Sequence, residues 1–352
     1  MADSEHVRCR TVNRRTWTLL FSVVLVAVFG LLGTFARVPY VALGPGPTYD
    51  TLGDNEGTPV VRIDGERTYP TGGHLNMTTV SVTDQLSLFG ALGLWASGRY
   101  ALAPRELYFP PNKTEQQIEQ ENTKAFNDSQ TSAEAAALRY LGYPMKVVVQ
   151  EVVTGSPADG VVEPGDRLLE VNGQPVRDPE SVSKAVARTK PGEEISIRLQ
   201  RGEERPSEVQ VELADHPRQP GRGFIGVAPA ERPDVDFDIE ISLADVGGPS
   251  AGLMFALAIV DKLTPGEING GHFVAGTGEI DAAGNVGPIG GINFKMVQAR
   301  EAGAELFLVP EKNCAEAKAQ APEGLELVKV ATLDDAVKNL EKYRSGLEPD
   351  HC

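Results

Sequence analysis

From Trp17 to Phe35 the sequence WTLLFSVVLVAVFGLLGTF carries no charged side chain. A run of this length, wound as a helix, covers the hydrocarbon thickness of a bilayer, so it predicts a membrane-crossing helix over residues 17–36. Arg8, Arg10, Arg14 and Arg15 precede it. The positive-inside preference then puts residues 1–16 in the cytoplasm and everything after Arg37 outside. Thr34-Phe35-Ala36 also reads as a weak signal-peptide cleavage site, but the apolar run is longer than the usual core of such a signal. The expected localisation is the cell membrane, single-pass, with the body of the chain extracytoplasmic and residues 17–36 in the lipid bilayer.

The chain as a whole has the composition of a largely folded body: 41% apolar and 23% charged residues over 352 positions, enough for two or three domains. A formal charge of -16 repels phosphate backbones, which argues against nucleic acid as a partner. Three cysteines make no disulfide framework; Cys9 falls on the cytoplasmic side, and a Cys314–Cys352 bridge is open but argued by nothing else. His6, His74, His216, His272 and His351 show no metal-ligand spacing, and no GxxxxGK[ST] loop is present. The chain is therefore expected to use no metal, no ATP and no other cofactor.

After the apolar run, Pro39 to Pro47 is rich in Pro and Gly and suits an extended stalk. His74–Val82 is a strand candidate, Asn112–Asn122 is polar, and Ser132–Leu141 has the Ala and Leu content of a helix that Gly142 ends. The sequons at Asn76, Asn112 and Asn127 carry no assignment. Between Met145 and about His216 short β runs surround one helix. Asn172-Gly173 supplies a tight turn and Pro164-Gly165-Asp166 a bend. Asp178 caps a helix with Pro179 at its first position, and Val182, Ala185 and Val186 form its inward face. Ile195, Ile197 and Leu199 alternate as a half-buried strand. With Gly155-Ser156-Pro157-Ala158 and Val171-Asn172-Gly173, this stretch resembles the PDZ domains of bacterial envelope proteases. The resemblance implies binding of an extended peptide along a sheet edge beside the helix. It places the peptide-binding loop at Tyr143, Pro144, Met145, Lys146 and Val147, where Pro144 removes a donor N–H. Capture of a chain terminus, binding of an internal segment and a purely structural spacer all stay open.

From about Phe224 to Tyr343 strands and helices alternate, which predicts an α/β domain. The expected order is VDFDIEI, a helix from Pro249 to Leu263, a hairpin from Phe273 to Ile289, a helix from Gly291 to Ala302, LFLVP, LELVKV and a final helix. Pro249 at the first helical position puts Ser250 in the first turn, beside orphan amides and the positive end of the helix dipole. Such a site stabilises an oxyanion or an alkoxide. Alone, a serine there is ordinarily a capping residue. In the second helix Ile292, Met296, Ala299 and Ala302 share one face, and Lys295 falls in the same arc. Alone, such a lysine ordinarily snorkels to water. If it cannot reach water, burial lowers its pKa from ~10.4 toward the ~7–8 useful for a general base, at a cost of about 4 kcal/mol.

Together GGPSAG, GTGEI at Gly276–Ile280, GNVGPIGGINFK and LFLVPEKN resemble the proteolytic domain of the Lon family, specifically its membrane-anchored, PDZ-containing branch without an ATPase. The resemblance implies a nucleophile at Ser250, a general base at Lys295 and an orienting hydroxyl at Thr277, with Asp245, Gly248 and Ala251 in supporting places. Asp245 departs from the pattern, since DVGGPSAG stands where the ATP-dependent branch has DGPSAG. The expected fold is α/β, a Lon-type proteolytic domain with an inserted PDZ-like β-rich module, preceded by one transmembrane helix. The domain map is 1–16 cytoplasmic, 17–36 membrane helix, 37–56 stalk, 57–142 first part of the protease domain, 143–217 PDZ-like, 218–345 catalytic part and 346–352 tail. Implied partners are protein or peptide substrates and, for a homo-oligomeric ring, further copies of the chain. The alternatives are a PDZ-based adaptor whose Lon-like domain does not cleave, and a processing enzyme with one narrow substrate.

Overall fold

The computed structural model describes residues 14–243 and 246–352. The chain divides into two compact units, residues 1–47 with 79–119 and residues 48–78 with 120–352. In the first unit, helix α1 (Arg14–Phe35) presents its apolar side chains outward and buries only Gly33. By length and composition it can cross a membrane. Helix α2 (Leu88–Ala96) follows, capped by the Ser87 hydroxyl, which accepts from the Gly90 N–H.

The segment expected as a stalk is instead part of a strand, Tyr40–Asp50. Its start pairs antiparallel with Ala101–Pro104, and the ladder ends at Leu43, before Pro45 and Pro47, which lack a donor N–H. Gly44 and Gly46 are buried, and Tyr100 and Thr79 lie so close that a Cβ on either glycine would collide with them. These glycines serve close packing, not flexibility, and that is why the composition misled.

In the second unit, neighbouring strands run in the order Glu326–Val330, Leu306–Pro310, Phe273–Gly276 and the start of His74–Thr83. All four pair in parallel. Both faces are covered, so the strands read as continuous apolar runs. Val274, Leu306, Leu308, Val328 and Val330 pack on one face with helices α3 (Glu115–Tyr140), α5 (Gly252–Leu263) and α8 (Leu333–Arg344). The intervening residues Ala275, Phe307, Val309 and Leu327 pack on the other with α6 (Ile292–Ala302) and α7 (Cys314–Ala319). The expected hairpin from Phe273 to Ile289 does not form as one piece. Phe273–Gly276 joins the parallel sheet, and only Glu279–Ile280 and Val286–Gly287 pair with each other. Helix α3 is longer than its Ala-rich end announced, taking in most of the polar stretch after Asn112. A Cys314–Cys352 disulfide ties the C-terminus to the start of α7.

A second sheet, in the order Ser207–Glu212, Glu194–Gln200, Arg167–Val171, Met145–Val152 and Val227–Pro233, carries helix α4 (Pro179–Ala187). Its core is Val149, Leu168, Ile195, Ile197, Val182 and Val186 with their neighbours. The Asn172-Gly173 turn has both residues at positive φ, 51° and 68°, and joins Val171 to its partner Gln174. Asp178 and Ser181 close a capping box on α4.

Candidate active site

The central strand Phe273–Gly276 ends where two helices begin, α5 on one face of the sheet and α6 on the other. The crevice outside the carboxyl ends of parallel strands is where open α/β sheets gather functional groups. Ser250, Thr277 and Lys295 meet there.

Ser250 lies in the turn just ahead of α5, which starts at Gly252 and not at Pro249 as the sequence suggested. Ala251 takes the capping position; its carbonyl accepts from the N–H groups of Met254 and Phe255. The turn is held on three sides. Gly248, at φ 84°, donates its N–H to the Asn122 carbonyl on α3 at 3.0 Å. The Ser129 hydroxyl, also on α3, donates to the Pro249 carbonyl at 3.0 Å. The Ser250 carbonyl accepts from the Gly278 N–H and from the Thr277 hydroxyl, both at 2.9 Å. Gly252 permits this fit, since a Cβ there would stand 2.8 Å from both Ile280 and the Ser129 oxygen. Asp245 lies outside the described residues.

Lys295 sits in the first turn of α6, whose start at Gly291 takes a left-handed φ of 69°. Phe294 and Met296 beside it are also buried, so the helix start is enclosed and the ammonium has no short path to water. Lys295 is 2% exposed. Its Nζ is 2.6 Å from Ser250 Oγ and 2.8 Å from Thr277 Oγ1. Burial pushes its pKa down to about 7. No carboxylate among the described residues pairs with it.

The three hydroxyl contacts fix the proton roles. Thr277 spends its O–H on the Ser250 carbonyl, so its oxygen accepts from Lys295. A neutral amine that donates one N–H to Thr277 keeps a lone pair for the Ser250 hydroxyl. The arrangement can take the serine proton and return it.

The expected peptide loop is placed elsewhere than beside α4. Met145, Lys146 and Val147 pair with Pro233, Arg232 and Glu231, Pro144 accepts from the Asp234 N–H, and the Tyr143 ring packs edge-on against Phe237 at 5.5 Å. A groove of about 280 Å³ does run along α4, lined by Val182 and Val186 and by Phe224, Ile225 and Val227. The Val227–Pro233 strand is the last in its sheet, so one edge faces that groove unpaired by other strands. The sequence carried the signal as Gly223-Phe224-Ile225-Gly226. Gly226, at φ 84°, is required there, because a Cβ would run into Ser156. This motif follows α4 in the chain, whereas the expected loop at Tyr143–Val147 stands at the start of the module's first strand, Met145–Val152.

Residues 237–342 match the family described as the Lon protease (S16) C-terminal proteolytic domain, and residues 117–213 match the PDZ domain family. The chain is 35% identical over 112 residues to the Lon protease of Lachnoclostridium phytofermentans, covering 31% of this chain and 14% of that protein. It is 38% identical over 96 residues to the Lon protease of Campylobacter concisus, covering 26% of this chain and 12% of that one. The matched region is thus a small part of either relative's length. Among solved structures, the PDZ domain of an SdrC-like protein from Listeria innocua is 23% identical, with a TM-score of 0.21, covering 23% of this chain and 90% of that one.

Proposed function

This chain carries a Lon-type proteolytic domain together with a PDZ domain, and from that premise we propose that it is a serine endopeptidase using Ser250 and Lys295 as a catalytic dyad. The observation that carries the reading is the 2.6 Å approach of Lys295 Nζ to Ser250 Oγ inside a site that holds the lysine near neutrality.

Neutral Lys295 accepts the Ser250 proton as Oγ attacks the scissile carbonyl, forming the C–O bond of a tetrahedral intermediate. The Leu253 N–H is taken by the Gly278 carbonyl and those of Met254 and Phe255 by the Ala251 carbonyl, so the N–H groups of Ala251 and Gly252, which have no acceptor among the described residues, receive the oxyanion. Lys295 returns its proton to the leaving amine as the C–N bond breaks. Water, losing a proton to Lys295, then attacks the acyl-enzyme; C–O cleavage sends that proton back to Ser250. Thr277 keeps the lysine aimed throughout.

The groove beside α4, with a free strand edge and apolar lining, suits an extended peptide segment. The reading extends to unfolded or exposed segments of envelope proteins as substrates, without ATP, on a chain held by α1 with its body outside the cytoplasm. The Cys314–Cys352 bridge suits that oxidising side. Purified protein should hydrolyse an unfolded polypeptide without nucleotide, and Ser250→Ala should not. Undiminished cleavage by the variant would refute the dyad; peptide binding at α4 with no cleavage by the native protein would favour the adaptor.

A further inference from the structure

Gln85 to Gly98 carries no charged residue, yet its helix α2 spans only Leu88–Ala96. Nine helical residues rise about 14 Å, under half the hydrocarbon thickness, so α2 cannot cross a bilayer. Nor is it a core helix. Ala91 and Leu94 turn toward the cluster around Ala42 and Leu86. Leu88, Leu92 and Trp95, at i, i+4 and i+7, form a stripe about a quarter-turn round the helix from those two, with Phe89 beyond it, and all four are exposed, Trp95 at 63%. An apolar stripe of this size without cover marks an interaction surface.

Its position says what covers it. Backbone bonds from the Val38 N–H to the Leu86 carbonyl, 2.9 Å, and from the Leu88 N–H to the Ala36 carbonyl, 3.3 Å, fasten the start of α2 to the end of α1. The Phe89 ring lies over Gly33, where any Cβ would be 2.5 Å from it. That contact buries the one position of α1 that is buried. The stripe on α2 therefore continues the lipid-facing surface of α1 at the level where α1 ends. Exposed Tyr40 and Tyr108 lie in the same unit. Tyr and Trp, with apolar bodies and polar tips, favour that depth.

We propose that α2 is a second membrane-contacting element, a short helix lying in the headgroup–acyl boundary of the leaflet where α1 emerges, with phospholipid as its partner. This rests on the reading of α1 as a membrane-spanning helix. A helix so placed immerses its apolar face about 5–10 Å below the phosphates. With α1 it would hold the chain at two points.

The chain has two tryptophans, Trp17 and Trp95, which separates the two readings. The full chain is reconstituted in phosphatidylcholine vesicles brominated either near the headgroup or near the bilayer centre, and tryptophan emission is compared with unbrominated vesicles. In Trp17→Phe, Trp95 should lose most of its emission to the shallow bromines and much less to the deep ones. In Trp95→Phe, Trp17 reports on α1 itself. Quenching of Trp17 with Trp95 untouched overturns the interfacial helix while the anchor stands; a second copy covering α2 would give that result. If neither tryptophan is quenched, the anchor reading fails and the proposal with it.

Discussion

Asp166 in the PDZ domain and Lys295 in the proteolytic domain are both sealed from water, and their surroundings treat them in opposite ways. The Asp166 carboxylate receives both arms of Arg201, at 2.8 and 2.9 Å, and the Glu163 N–H at 2.8 Å. Its charge is answered on each oxygen, which is how a structural buried charge survives. Lys295 is given two hydroxyls and, among the described residues, no counter-ion. A buried amine in that position is held toward its neutral form, which stability alone would not select. The Pro164-Gly165-Asp166 bend is thus an anchor for Arg201, whereas the Gly291 helix start carries the lysine proposed as the base.

Ser250→Ala and Lys295→Met test the chemical half of the contrast and should show the largest effect. Each is expected to lower kcat/KM for peptide hydrolysis by ~10³-fold or more, measured on protein whose circular dichroism is unchanged.

The second effect is a stability change of opposite sign at the two buried groups. The Lys295 pKa is depressed in the folded chain, so the unfolded chain binds the extra proton at neutral pH. Stability should therefore rise as pH increases from about 7 toward the ordinary lysine value, by about 2–3 kcal/mol between pH 7 and 9. Lys295→Met should lose that rise and be more stable than the native chain at pH 7 by about 2 kcal/mol, after the lost hydrogen bonds are deducted. Asp166→Ala should instead destabilise by about 2 kcal/mol, less than a fully buried pair would, because Arg201 keeps contact with water. Urea unfolding at the two pH values measures all three proteins; equal signs for the two substitutions would break the comparison.

The smallest effect is expected at Thr277. Thr277→Val removes the acceptor that aims Lys295 and one of two donors to the Ser250 carbonyl, leaving the Gly278 N–H in place. A roughly tenfold fall in kcat with KM unchanged is expected, read from steady-state peptide hydrolysis.

The local motifs that open helices or make tight turns were legible in the sequence because their meaning is carried by a few adjacent residues. GGPSAG and GGINFK announced two helix starts. Their meeting at 2.6 Å needed the sheet, since α5 and α6 lie on opposite faces of it. Asn172-Gly173 and Asp178-Pro179 read correctly as a turn and a cap. What escaped was non-local. Gly44 and Gly46 look like linker residues until Tyr100 and Thr79 are seen against them. The groove-lining Gly223–Gly226 follows α4 in the chain, and the fold lays it beside that helix while it pairs Met145–Val147 with Glu231–Pro233. The N-terminal half of α3 is polar because it is largely exposed, and exposed helix lacks the apolar stripe by which helices are recognised.

The proposed role of Lys295 is tested most directly by the pH dependence of Ser250 phosphonylation, in which Oγ attacks the phosphorus of a small serine-directed phosphonate and displaces its leaving group, bypassing substrate binding. The account predicts a rate that climbs through about pH 7 and levels above it, with the climb absent in Lys295→Met. A climb centred near the ordinary lysine pKa, or the same climb in Lys295→Met, would contradict it.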